Sequence, residues 1–112
     1  MAKPTNRTYS RYSRDAAALM GKLIKLGRKE RKLTAQDLAD RAGISRGLLQ
    51  RIEKGDLKCE IGAVFEVAAI VGVKLFDPES PSLTTHIDRV DDKLALLPKY
   101  VRKSTKAVED DF

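Results

Sequence analysis

The chain has one cysteine, Cys59, and one histidine, His86, in 112 residues. A lone thiol excludes an intramolecular disulfide and a cysteine-rich metal site, and a lone imidazole excludes a histidine cluster. No metal and no cofactor is therefore expected. Missing structural disulfides agree with a reducing cytoplasm. No apolar run approaches the ~20 residues of a membrane span, and the opening "MAKPTNRTYSRYSRD" lacks the apolar core of a secretory signal. Strand alternation, hairpin signals and internal repeats are also missing. Cys59 and His86 lie in different segments, and no phosphate loop or triad spacing accompanies them, so an enzyme is not expected.

Positive charge is plentiful and unevenly placed. The formal net charge is +6 and the pI about 9.6. Residues 1–58 carry 15 Lys/Arg against 6 Asp/Glu, or +9, whereas residues 59–112 carry 7 against 10, or −3. This asymmetry suggests a basic half for a polyanion and another half for a different task.

The periodicity is helical throughout. Residues 1–14 read as an extended, flexible basic arm. Ser13 is expected to cap a first helix reaching about Arg31, with Asp15 in its first turn and Ala16, Met20, Leu23, Ile24 and Gly27 facing inward. Thr34 caps a short second helix, with Asp37 three residues on in a near capping-box pattern, and Gly43 ends it. Ser45 caps a third helix that Gly55 ends. A fourth, about Glu60 to Val71, presents Ile61, Val64, Val67, Ala68 and Val71 at helical spacing, and "VKLF" returns apolar groups to the core. Residues 77–82, "DPESPS", form a linker. Beyond it, Leu83, Ile87, Val90, Leu94 and Leu97 are spaced 4, 3, 4 and 3 apart, a narrow heptad stripe over residues 83–98 that predicts a dimerisation helix, with Tyr100 able to join the contact. Residues 99–112 form a tail.

The two short helices joined by "AGIS" leave almost no slack. Ala39 permits close approach, Gly43 supplies the turn, and Ile44 plugs the corner, which are the mechanics of a helix-turn-helix unit. In the third helix, Leu48, Leu49 and Ile52 share one arc, and Arg46, Gly47, Gln50, Arg51 and Lys54 the other. A short helix with that outer face suits the major groove of duplex DNA, about 12 Å wide.

From "MGKLIKLGRKERKLTAQDLADRAGISRGLLQRIEKG" the chain resembles the Xre/Cro/phage-repressor type of helix-turn-helix regulator over about residues 16–76, best at "L-T-x-x-x-L-A-x-x-A-G-I-S" followed by "I-E-K-G". The resemblance implies an all-α fold: a compact four- to five-helix domain over residues 15–76, with the third helix reading DNA. It implies Thr34, Gln36, Ser45, Arg46, Gly47, Gln50, Arg51 and Lys54 as DNA-contacting positions, Arg46 as a candidate for guanine, and Arg28–Glu53 as a structural ion pair between helix 1 and the end of helix 3. Many relatives place Gln directly after the Thr that opens helix 2; here Ala35 stands there and Gln36 follows. The partners implied are double-stranded operator DNA of two-fold symmetry and a second copy of the chain. The tail "LLPKYVRKSTKAVEDDF" resembles the C-terminal segments of HipB-like antitoxins. That implies an autoregulating repressor that neutralises a HipA-like kinase toxin; the alternative is a plain prophage or housekeeping regulator without a toxin partner.

Overall fold

A computed structural model of the chain describes residues 7–76 and 82–103. Five α-helices and no strand occur among the described residues: α1 (Arg11–Glu30), α2 (Ala35–Ala42), α3 (Arg46–Glu53), α4 (Ile61–Ile70) and α5 (Leu83–Ala95). The chain divides into two units, Met1–Pro78 with α1 to α4 and Glu79–Phe112 with α5.

Helix α1 starts earlier than expected. Its cap is Ser10, whose hydroxyl accepts from the Ser13 amide at 3.2 Å, and not Ser13. Both serines can cap, but the Arg14 side chain donates to the Tyr9 carbonyl at 2.8 Å and its amide to the Ser10 carbonyl at 3.1 Å, which winds the segment one turn further back. Residues 11–14 are thus helical and not part of an extended arm, and Asp15 lies outside the first turn, away from the amides that would favour its charge. Residues 1–6 of that arm lie outside the described residues.

The inward face of α1 is also rotated from the expected one. Gly21, Ile24, Gly27 and Arg28 are buried and Met20 packs partly against the core, whereas Ala16 is exposed and Leu23 is 38 % exposed. Two glycines explain the rotation. Gly21 brings the α1 backbone against the end of α3, and Gly27 brings it against Val71. An arginine then occupies a core-facing position because Glu53 neutralises it.

Helix α2 is held as its sequence predicts. The Thr34 hydroxyl accepts from the Asp37 amide at 3.0 Å, and the Asp37 carboxylate accepts from the Thr34 amide at 3.0 Å, completing the capping box. These bonds hold the Asp37 carboxyl below the usual carboxylate range. Gly43 ends α2 at φ 70°, a left-handed conformation that glycine adopts without cost. α2 packs on α3 and on α4, and α1 packs on α3. Their common core is Ile24, Leu38, Ala39, Leu49, Ile52, Ala63, Val67, Ala68 and Val71, with Ala42, Ile44 and Leu48 against it.

In α4, Val67, Ala68 and Ala63 are buried, but Ile61 is 69 % exposed. Ile61 is the first residue of the helix, and there the face turns away from the core. Of "VKLF", Val73 and Leu75 pack on the core, while Phe76 stays exposed. Residues 77–81 of the linker lie outside the described residues.

In the second unit, Ser82 caps α5 by accepting from the Thr85 amide at 3.1 Å. No residue of α5 is buried. Leu83, Ile87, Val90, Leu94 and Leu97 are between 53 and 62 % exposed. The helix ends at Ala95, with Leu96 as its C-cap, so Leu97 lies just past it and its amide donates to the Leu94 carbonyl. Residues 104–112 of the tail lie outside the described residues.

Candidate nucleic-acid interface

The Ser45 hydroxyl accepts from the Leu48 amide at 3.0 Å and starts α3 immediately after the turn. Leu49 and Ile52, 0 and 3 % exposed, anchor one side of this eight-residue helix. The opposite arc is set by the helical repeat alone: Arg46, Gly47, Gln50, Arg51 and the C-cap Lys54 are all exposed.

Two devices orient α3 from behind. The first is the ion pair joining the last turn of α1 to the end of α3. The Arg28 Nε donates to Glu53 Oε2 at 2.7 Å and its Nη2 to Oε1 at 2.9 Å, a fork on a carboxylate. Its Nη1 donates to the Leu33 carbonyl at 3.0 Å, so the same guanidinium also ties down the α1–α2 connection. Glu53 raises the Arg28 pKa above its ordinary value despite the opposing effect of burial. The second device is the close approach of α1 at Gly21. A Cβ there would lie 2.5 Å from the Ile52 carbonyl oxygen and 2.6 Å from that of Glu53.

The exposed arc is not uniform. The side chains of Arg46 and Lys54 make no hydrogen bond or ion pair among the described residues. Arg51 does: its Nε donates to Asp56 Oδ2 at 2.8 Å. Arg51 holds the Asp56 carboxyl below the usual carboxylate range, with help from the Lys58 amide. Sequence reasoning missed Asp56. The available signal was an acid five residues after an arginine, across the left-handed Gly55 at φ 83°. Gly47 has no packing duty. A Cβ built on it meets only the Ser45 hydroxyl, at 4.0 Å, and its φ is ordinary. Nothing in the fold requires glycine there, and its effect is a bare spot at the start of the outer face.

Toward α2, the Thr34 hydroxyl and the Ser45 hydroxyl are both occupied as caps, although each oxygen remains at a helix start where amides point outward. Gln36 donates from Nε2 to Asp40 Oδ1 at 2.8 Å, which leaves one of its two amide hydrogens for another acceptor. The expected site residues therefore fall in two groups. Arg46, Gly47, Gln50, Arg51 and Lys54 share the exposed arc of α3, while Thr34, Gln36 and Ser45 stand at the starts of the two helices flanking the turn.

Basic side chains at close spacing on an outward helix can donate to phosphate oxygens and to base edges, and the glycine permits close approach. No group of His, Cys, Asp and Glu among the described residues is placed to hold a metal ion. No helix among the described residues is long and apolar enough to cross a membrane. Residues 24–76, from mid-α1 to the exposed Phe76, match the family model described as helix-turn-helix. No curated protein matches the chain. Over residues 24–76 the chain is therefore similar to the helix-turn-helix domains of the Xre/Cro/C1 type, a kind found in DNA-binding transcription regulators.

Proposed function

We propose that the chain is a sequence-specific transcription repressor that lays the outer face of α3 in the major groove and binds its operator as a homodimer. The observation that carries this reading is the arc of Arg46, Gly47, Gln50, Arg51 and Lys54, exposed together on a helix whose other side is locked to α1 and α2. Arg46, unpaired and at the helix start, reads a guanine through O6 and N7. Lys54 meets a phosphate, and the starts of α2 and α3, with Thr34, Gln36 and Ser45, set the register on the backbone.

Selection of duplexes from a random library by the full-length chain tests this reading. The chain is expected to enrich one motif. Arg46→Ala costs about 1–3 kcal/mol on that motif and relaxes preference at one base position. Lys54→Ala instead weakens binding to all duplexes and flattens the salt dependence by about 0.9 in log–log slope, one phosphate contact. Unchanged binding by Arg46→Ala rules out Arg46 as a base-reading residue.

The dimer reading rests on α5. A helix of 13 residues with an exposed apolar stripe has little stability of its own in water. A second copy covers that stripe. Two-fold pairing sets two recognition helices about 34 Å apart, on successive turns of the major groove. Leu94→Asp is expected to give a monomer by light scattering at micromolar concentration and to weaken operator binding, with the thermal unfolding of the helix-turn-helix unit unchanged. A variant that stays dimeric removes α5 as the contact.

The antitoxin role implied by the tail is the finer reading of the same regulator. Leu96, Tyr100 and Val101 favour it, being 85, 76 and 94 % exposed and lying beside or beyond the heptad stripe, where a protein partner has apolar groups to cover. Co-purification with the product of a neighbouring kinase-like gene tests it, and the absence of such a gene leaves a plain regulator.

A further inference from the structure

Within the outer arc of α3, Arg51 is anchored and Arg46 is not. The anchor is Asp56, placed by the turn at Gly55, and it is tied to Arg51 twice. The Asp56 amide donates to the Arg51 carbonyl at 3.0 Å, and the Asp56 Oδ2 accepts from Arg51 Nε at 2.8 Å. The other carboxylate oxygen, Oδ1, accepts from the Lys58 amide at 2.8 Å. The carboxylate is therefore bound to its own backbone turn and is not a loose surface acid that happens to lie near a base. Arg51 remains 52 % exposed in its side chain, while Asp56 is 32 % exposed.

A guanidinium carries five N–H donors in a rigid plane. Engaging Nε on one edge fixes the plane and leaves the Nη1/Nη2 edge free to donate. That edge matches the O6/N7 pair of a guanine. An arginine already held in place loses less freedom on binding and tolerates misplaced acceptors poorly, which favours discrimination over simple attraction. We propose that Asp56 is a positioning residue that aims the Nη edge of Arg51 at a guanine, making Arg51 a second base-reading arginine beside Arg46. This inference rests on the DNA-binding reading of α3.

The test uses the full-length chain and two probes: the duplex that the wild-type chain selects from a random library, and a mixed-sequence duplex of the same length. The readout is the ratio of the two affinities. Asp56→Ala is expected to lower that ratio about tenfold, within the range a bidentate guanine contact provides. Its affinity for the mixed duplex stays equal or rises, because a negative charge beside phosphates is gone. Asp56→Asn, which keeps an acceptor for Nε without the charge, falls between wild type and Asp56→Ala and covers the case of an alanine variant that folds poorly. In an Arg51→Ala background, Asp56→Ala lowers the ratio no further. A ratio that survives Asp56→Ala overturns the proposal, and so does an equal loss on both probes, which would mark Arg51 as a phosphate clamp. A rise in the ratio overturns it as well, since Asp56 would then be withholding Arg51 from DNA. A wild-type chain that selects no duplex defeats the DNA-binding reading itself, a result separate from all of these.

Discussion

Arg28→Ala should destabilise the helix-turn-helix unit by about 3–5 kcal/mol, the cost of breaking a buried ion pair from one side. The guanidinium sits in a site where its side chain is 11 % exposed and that of Glu53 is 8 % exposed. Removing it strands a carboxylate with no cation and leaves the Leu33 carbonyl without its 3.0 Å donor. For a domain of this size each kcal/mol is worth about 4–8 °C in melting temperature, so the loss exceeds ~10 °C. Circular dichroism across a thermal ramp measures it. Replacing both partners with apolar residues, Arg28→Met with Glu53→Leu, should cost distinctly less than either single change, because no charge is then left buried. Equal losses for the single and double variants would mean that the fork contributes packing and not charge compensation. A single-variant loss below about 1 kcal/mol would place the pair among surface bridges, which is where such small values belong. Because the pair joins α1 to the last residue of α3, operator affinity at temperatures below the transition should also fall, without any change in which motif is selected.

That pair was legible in the sequence only through resemblance, since Arg28 and Glu53 are 25 positions apart and no periodicity links them. Other parts were legible from chemistry alone. Thr34 with Asp37, Gly43, and Ser45 announce where α2 begins, where it ends and where α3 begins, because caps and left-handed residues act within three or four positions. The exposed arc of α3 followed from the helical repeat once Leu49 and Ile52 were assigned inward. The failures were of two kinds. One was competition between equivalent local signals: Ser10 and Ser13 can each cap, and the choice depended on Arg14 reaching the Tyr9 carbonyl, a bond across five positions. The other was rotation of α1. Leu23 looks more apolar than Gly21, yet the glycine is buried and the leucine is 38 % exposed. Apolar periodicity assumes that larger aliphatic groups face inward, and it fails where the distance between two backbones decides the face. Asp56 was missed for a related reason. A surface acid reads as solvated until the turn at Gly55 is seen to fold it back onto Arg51.

Gly21→Ala is the sharpest test of whether backbone distance sets the buried face of α1, because the two physical effects of the substitution oppose each other. Alanine is favoured over glycine inside a helix by about 1 kcal/mol. The added methyl, however, would stand 2.5 Å from the Ile52 carbonyl oxygen, 2.6 Å from the Glu53 carbonyl oxygen and 2.9 Å from the Glu53 carbonyl carbon. These are backbone atoms and have no rotamer to change. Ile52 O is also the acceptor for the Gly55 amide at 3.0 Å, so moving it disturbs the end of α3. Overpacking of a core costs about 1–3 kcal/mol when side chains can adjust, and contact with backbone belongs at the top of that range or above it. The clash therefore wins, with a net loss of about 2 kcal/mol expected in thermal or urea unfolding. Gly62→Ala is the internal control. A Cβ at Gly62 meets nothing within 4 Å, so that variant should be neutral or slightly more stable. The end of α3 carries Arg51 and Lys54, and pushing it from α1 tilts both. Gly21→Ala should accordingly weaken operator binding more than its population of unfolded chain accounts for. If Gly21→Ala proves as stable as wild type, the α1–α3 contact is looser than the geometry gives, and the orientation of α3 would then rest on the Arg28–Glu53 fork and the Leu49 and Ile52 anchors alone.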